Sequence, residues 1–239
     1  CSSDLSSEGG GSGGGNEDEI LEGGFNGGSS ASGYGGAGAG LGGAIFVRKG
    51  GKVIFTRTGN EIGSTTIAGT NDSGEVITHG KALGDAIYMM GNADVNNPFQ
   101  LEFNTNELVT ITNSIFDDFG NEGSLGGGIR KLGLGTLNLK GNNGYYAPTS
   151  LDGGTVSVTN DVNLGNSASS LKFNGGILQV TGTTFTSTPR TIIWGPNGGG
   201  FDINSVNNNF TVAQLLSGVG GLTKKGIGDR KSTRLNSSH

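Results

Sequence analysis

The 239-residue chain has one cysteine, two histidines, two methionines, one tryptophan and four prolines, and only 15% of its residues are charged. The lone thiol, Cys1, excludes an internal disulfide and any cysteine-built metal cage. His79 and His239 are too few for a histidine metal cluster, and no nucleophile, base and orienting acid assemble around His79, whose Thr78-His79-Gly80 setting reads as a surface turn. Serine is plentiful only because it suits turns. The longest apolar runs, such as Ala44 to Val47 and Ala86 to Met90, fall far below the roughly 20 residues that cross a bilayer, so no transmembrane helix is expected. A formal charge of −5 removes the broad positive field that draws proteins to phosphate backbones, and no nucleic-acid partner is expected.

What the chain has instead is glycine, 50 residues of it, without collagen's every-third-residue period. Residues 1–40 alternate Gly/Ser/Ala stretches such as Gly9 to Gly15 with the acidic run Glu17 to Glu22, a composition that cannot offset the entropy of ordering. This segment is expected to be a flexible, disordered tether, its acidic run a solvated stretch. Cys1-Ser2-Ser3 followed by such a tether resembles the mature end of a bacterial lipoprotein whose signal peptide has been removed. That resemblance marks Cys1 as a candidate lipid attachment point, with an arbitrary fragment boundary as the alternative.

From Gly42 onward, apolar residues recur in alternating pairs between Gly and Asn turn signals: Ile45/Val47, Val53/Phe55, Ile87/Met89, Leu101/Phe103, Val109/Ile111, Leu137/Leu139, Val156/Val158, Leu171/Phe173, Leu178/Val180 and Phe201/Ile203. A period of two means strands, and no stretch holds helical spacing. Double glycines at Gly127-Gly128, Gly153-Gly154, Gly175-Gly176, Gly199-Gly200 and Gly220-Gly221 are 26, 22, 24 and 21 residues apart. Units this short cannot bury an apolar face alone and must stack on one another. The expected fold is all-β, a right-handed parallel β-helix (a solenoid) of roughly eight rungs from Gly42 to Gly228.

A longer repeat overlies this one. Gly127-Gly128-Ile129-Arg130-Lys131-Leu132-Gly133-Leu134-Gly135 returns 93 residues later as Gly220-Gly221-Leu222-Thr223-Lys224-Lys225-Gly226-Ile227-Gly228, with five of nine positions identical. The match stops at Asp229-Arg230, where a small β-former and an apolar residue are due. Residues 229–239 resemble the translation of a sequencing-library adapter and are set aside as a non-native tail. The organisation is thus a tether over 1–40, N-terminal rungs over 41–126, a repeat region over 127–228 whose second copy is truncated, and the tail.

The run from Gly128 through Lys131, Gly133, Gly135, Leu137 and Leu139, followed by Asn142, Asn143, Tyr145, Gly153, Gly154 and Val156, resembles the autotransporter-associated β-strand repeat of bacterial passenger domains. In that family a Lys-x-Gly-x-Gly-Thr-Leu strand leads through an Asn-Tyr turn to a Gly-Gly-Thr-Leu strand. Gly175, Gly176, Gly221, Lys224, Gly226 and Gly228 sit where later segments belong, and Tyr146-Ala147-Pro148 departs from the usual turn. Upstream, Gly42-Gly43-Ala44-Ile45 and Gly84-Asp85-Ala86-Ile87, 42 residues or close to two rungs apart, with Phe103-Asn104-Thr105-Asn106, resemble elements of polymorphic outer-membrane autotransporters. The resemblance implies secretion, export through a C-terminal β-barrel not found in this chain, and display on the bacterial outer surface as a stalk or adhesin. Its partner would be a surface receptor, matrix or glycan. It implies no catalysis and no cofactor.

The enzymatic alternative is a β-helix polysaccharide lyase or glycosidase, in which acids from adjacent rungs meet in a groove. Asp117, Asp118, Asp152, Asp161 and Asp202 are its candidates, but adjacent strand residues point to opposite faces and the rest differ in rung phase. Gly200-Phe201-Asp202 supplies only the end of a calcium-binding nonapeptide, and Gly38 to Gly43 lacks the Lys-Ser/Thr of a phosphate loop, so no metal site is expected. Trp194 reads as a half-buried rung residue, with a sugar-stacking platform as the alternative.

Overall fold

The computed structural model describes residues 39–56, 81–91 and 96–232. Those residues are all-β, with every strand pairing parallel, no α-helix and two single-turn 3-10 helices at Asn121–Gly123 and Asp161–Leu164. The strands are short because Gly and Asn corners interrupt them every few residues.

In chain order they are β1 (Gly40–Leu41), β2 (Ile45–Val47), β3 (Val53–Phe55), β4 (Ala82–Leu83), β5 (Ile87–Met89), β6 (Phe99–Asn104) and β7 (Leu108–Ile111). Next come β8 (Ile115–Asp117), β9 (Gly128–Leu132), β10 (Thr136–Leu139), β11 (Thr149–Leu151), β12 (Thr155–Val158) and β13 (Leu171–Phe173). The last are β14 (Ile177–Val180), β15 (Ile192–Trp194), β16 (Gly199–Ile203), β17 (Asn209–Val212), β18 (Leu222–Lys225) and β19 (Asp229–Ser232).

They fall into walls visited in rotation. A first wall runs β3-β6-β9-β11-β13-β15 and a second β7-β10-β12-β14-β16-β18. A third side holds β2-β5-β8 at one end and β17-β19 at the other, bridged by irregular segments around Asn143, Asn163 and Ser187. The chain occupies seven successive levels among the described residues.

Alternation places every second side chain inside. In the second wall Val109, Leu137, Val156, Leu178 and Phe201 form one inward row with no solvent exposure. In the first wall the matching row is Phe55, Phe103, Lys131, Leu151, Phe173 and Trp194. Each buried Leu or Phe in such a row contributes about 1.5–3 kcal/mol of hydrophobic stabilisation.

The third side lacks continuous strands, and buried polar side chains stand in for the missing ladder. Asn143 accepts from Ile115 N (2.8 Å) and donates to Asn163 O (2.6 Å), while Asn163 donates to Gly141 O (2.9 Å) and Lys140 O (3.1 Å). Arg190, fully enclosed, donates to Asp161 Oδ1 and to the carbonyls of Asp161, Gly165, Asn166 and Ser169, and pairs with Asp161 Oδ2 at 2.9 Å. A buried charge is tolerable only with such complete pairing.

Several expectations need correction. The elements Gly42–Ile45 and Gly84–Ile87 are not two levels apart: Ile45 pairs directly with Ile87, and Gly43 N donates to Gly84 O at 3.1 Å. The long stretch between them leaves the pairing intact, and residues 57–80 of it lie outside the described residues. Double glycines at 153, 175, 199 and 220 all open second-wall strands, but Gly127-Gly128 opens the first-wall strand β9, so the 26-residue step is not one circuit. The two copies of the 93-residue repeat join different pairs of sides. The first copy, β9 to β10, passes from first to second wall, and the second, β18 to β19, from second to third side. The backbone of Asp229–Ser232 pairs in register with β17; residues 233–239 lie outside the described residues.

Candidate functional site

Of the residues singled out in sequence, Cys1, the acidic run Glu17 to Glu22 and His79 lie outside the described residues. The repeat-defining residues cluster at corners. Lys131 is enclosed between Phe103 and Leu151, and its ammonium donates to the carbonyls of Leu132, Gly133 (3.2 Å) and Thr105 (3.4 Å). Burial pulls its pKa down to about 8. Lys224 repeats the local contact, donating to Gly226 O at 2.6 Å, but from an exposed position. Gly128 opens β9; Gly153-Gly154 and Gly175-Gly176 turn the corners into β12 and β14, and Gly221 precedes β18. Leu137, Leu139 and Val156 are core.

The five candidate acids do not converge. Asp117 and Asp118 are both buried rather than on opposite faces, because β8 ends at Asp117 and Asp118 already turns the corner. Asp117 accepts from the backbone of Tyr146 (2.7 Å), Gly127 (2.9 Å) and Phe119 (3.2 Å). Burial nevertheless outweighs these donors and raises its pKa to about 6, helped by the neighbouring Asp118 charge. Asp118 accepts from Gly91 N and Ser124 Oγ. Asp152 pairs with Arg130 on the first wall, Asp161 with Arg190 on the third side, and Asp202 accepts from Gln179 Nε2 (2.8 Å) on the second. Each acid is committed to holding the fold. Among the described residues no group of three or more His, Cys, Asp or Glu side chains could hold a metal, and no helix is long and apolar enough to cross a membrane.

Trp194 is half-buried in β15, 5.1 Å from the Phe173 ring, with Nε1 donating to Gly220 O at 3.0 Å. Both observations place it in the wall rather than on a free platform.

A groove was missed in sequence. It has a volume of about 370 Å³ and runs along the corner that leads into the first wall, crossing five levels: Pro98, then Phe119 and Leu125, then Tyr146 and Pro148, then Lys172, then Ile193. Phe119 and Tyr146 stack with ring centroids 3.4 Å apart and planes 9° off parallel. Lys172 Nζ lies 5.7 Å from the Phe99 centroid and, among the described residues, forms no ion pair. The outward row of this wall is Ile54, Glu102, Arg130, Ser150, Lys172 and Ile193. Within it Glu102 is paired by Lys52 and Arg130, and Asp152 by Arg130. The one sequence signal was Tyr146-Ala147-Pro148, the turn that departs from the repeat pattern; all three residues line the groove.

No protein-family model matches the chain, and no solved structure does. Over 90 residues, 38% of its length, the chain is 36% identical to a protein of Brucella suis biovar 1 (strain 1330) named adhesin BmaC autotransporter. The chain spans about 2% of the length of that relative.

Proposed function

We propose that this chain is part of a secreted passenger of the autotransporter type, wound as a right-handed parallel β-helix and acting on the outer cell surface as a stalk or adhesin without catalysis. The observation that carries the reading is the pair of six-stranded parallel walls, in which each level covers the apolar row of the next. The identity with the Brucella adhesin supports the surface assignment. The commitment of all five candidate acids to hydrogen-bond or ion-pair partners within the fold supports a non-catalytic role. In this reading 127–228 carries autotransporter-type β-strand repeats and a C-terminal β-barrel exports the passenger. The partner is a surface receptor, a matrix component or a glycan.

Two measurements on the purified chain test this. Small-angle scattering is expected to report an elongated particle, and incubation with pectin-like and other acidic glycans is expected to leave them intact. Release of new reducing or unsaturated ends would remove the non-catalytic reading, and a compact scattering profile would remove the β-helix.

A further inference from the structure

We propose that the groove beside the first wall binds a stretch of anionic polysaccharide, with sugar rings laid against the Phe119–Tyr146 pair and a carboxylate or sulfate of the polymer held by Lys172 Nζ. This deepens the adhesive reading above, on which it rests, by naming the partner's chemistry.

The shape comes first. From Pro98 to Ile193 the groove crosses five levels, and at about 4.8 Å per level the four steps between them extend it roughly 19 Å along the stack. A polymer fits such a site better than a compact small molecule.

The lining chemistry narrows the choice. Phe119 is stacked on one face by Tyr146 and is still 41% exposed, which leaves apolar ring surface of the kind that sugar C–H faces pack against. Lys172 is the cation in the lining, and it faces the ring of Phe99 rather than a carboxylate. The acids on the same wall, Glu102 and Asp152, are already neutralised by Lys52 and Arg130. An anionic group arriving at Lys172 therefore meets a positive charge that no carboxylate among the described residues pairs.

Direction separates a glycan from an extended peptide. A peptide gains affinity by adding to a sheet edge, parallel to its strands. This groove runs across the strands; β11 and β13 beside it are paired on both sides within the wall, and at the edge strand β15 the N–H and C=O of Ile192 are taken by the Gln214 side chain. The −5 charge of the whole chain disfavours indiscriminate polyanion binding, so retention that depends on Lys172 reports the groove.

The full chain is run through native gels containing polygalacturonate, heparin or, as the neutral control, dextran. Polygalacturonate or heparin is expected to retard it and dextran is not, and the retardation weakens as salt is raised. Lys172→Gln, at a half-exposed position that leaves the core untouched, is expected to weaken binding about fivefold. Phe119→Ala is expected to weaken it about tenfold, with the circular dichroism spectrum of each variant unchanged. No retardation by either polyanion, equal retardation by dextran, or full retardation of Lys172→Gln overturns the proposal. So does a concentration-dependent dimer in sedimentation that Phe119→Ala abolishes, since a second copy would then fill the groove. Beads coated with the chain are assayed in parallel for attachment to cells. Attachment with no retardation in the gels refutes the groove while leaving the adhesive reading standing, and retardation without attachment supports the groove and refutes adhesion.

Discussion

Asp117 and Lys131 are buried ionisable side chains whose pKa values burial displaces. Both sit where a short strand nears a corner, and both hydrogen-bond backbone groups of that corner. Asp117 is the clearer test because its pKa rises from 3.8 to about 6 through burial. A raised carboxyl means that the folded state holds the proton more tightly than the unfolded chain. Its contribution is therefore fully present below pH 3.8 and lost as pH climbs through about 6, a swing of about 3 kcal/mol. In urea titrations between pH 4 and 7, Asp117→Asn should flatten this part of the pH profile. It should also lower stability at every pH, because an amide offers one acceptor oxygen to three N–H donors. Identical slopes for variant and wild type would show that Asp117 does not titrate in that window. Neither residue's burial was readable in sequence: Lys131 belongs to a recognisable motif, but only pairing with Phe103 and Leu151 encloses it.

The corner is the reusable element. Lys-x-Gly-x-Gly makes the same contacts twice, Lys131 to Gly133 O and Lys224 to Gly226 O, with Gly133 at φ +65 and Gly226 at φ +73, although the copies join different pairs of walls. Its glycines are required by the backbone of the level below. A Cβ on Gly133 would stand 2.5 Å from Thr105 O, and one on Gly135 would stand 2.0 Å from Glu107 O. Gly133→Ala should therefore cost more than the ~1 kcal/mol of a left-handed alanine, because the carbonyl beneath must also move. Gly221→Ala, where a Cβ meets nothing within 4 Å, should stay within about 0.5 kcal/mol. Urea midpoints of the two variants decide the matter, and equal losses would refute the tight corner. The motif was legible in sequence because it is local. Its wall was not, since levels differ in length: Leu101 to Ile129 spans 28 residues, Ile129 to Thr149 only 20.

For the whole molecule, stability should follow nearest-neighbour stacking rather than a single globular core. Leu137 lies in the third level, fully buried between Val109 and Val156, whereas Leu222 lies half-buried in the last level with β16 on one side. Leu137→Ala should lose about 2–5 kcal/mol and Leu222→Ala about 1 kcal/mol or less in chemical denaturation. Comparable losses would contradict a stack. Strand identity, parallel pairing and the apolar members of the inward rows were readable from the linear chain, because alternation and Gly/Asn punctuation act over a few residues and survive any tertiary arrangement. Level assignment was not: the 42-residue interval from Ile45 to Ile87 has the length of about two levels, and pairing makes it one. The groove was equally hidden. Phe119, Tyr146 and Lys172 are separated by 27 and 26 residues in the chain, and they meet only because circuits of unequal length return to the same corner. Short-range pattern selects strand and corner, whereas loop length, which costs little free energy to vary, decides which side chains come to share a surface.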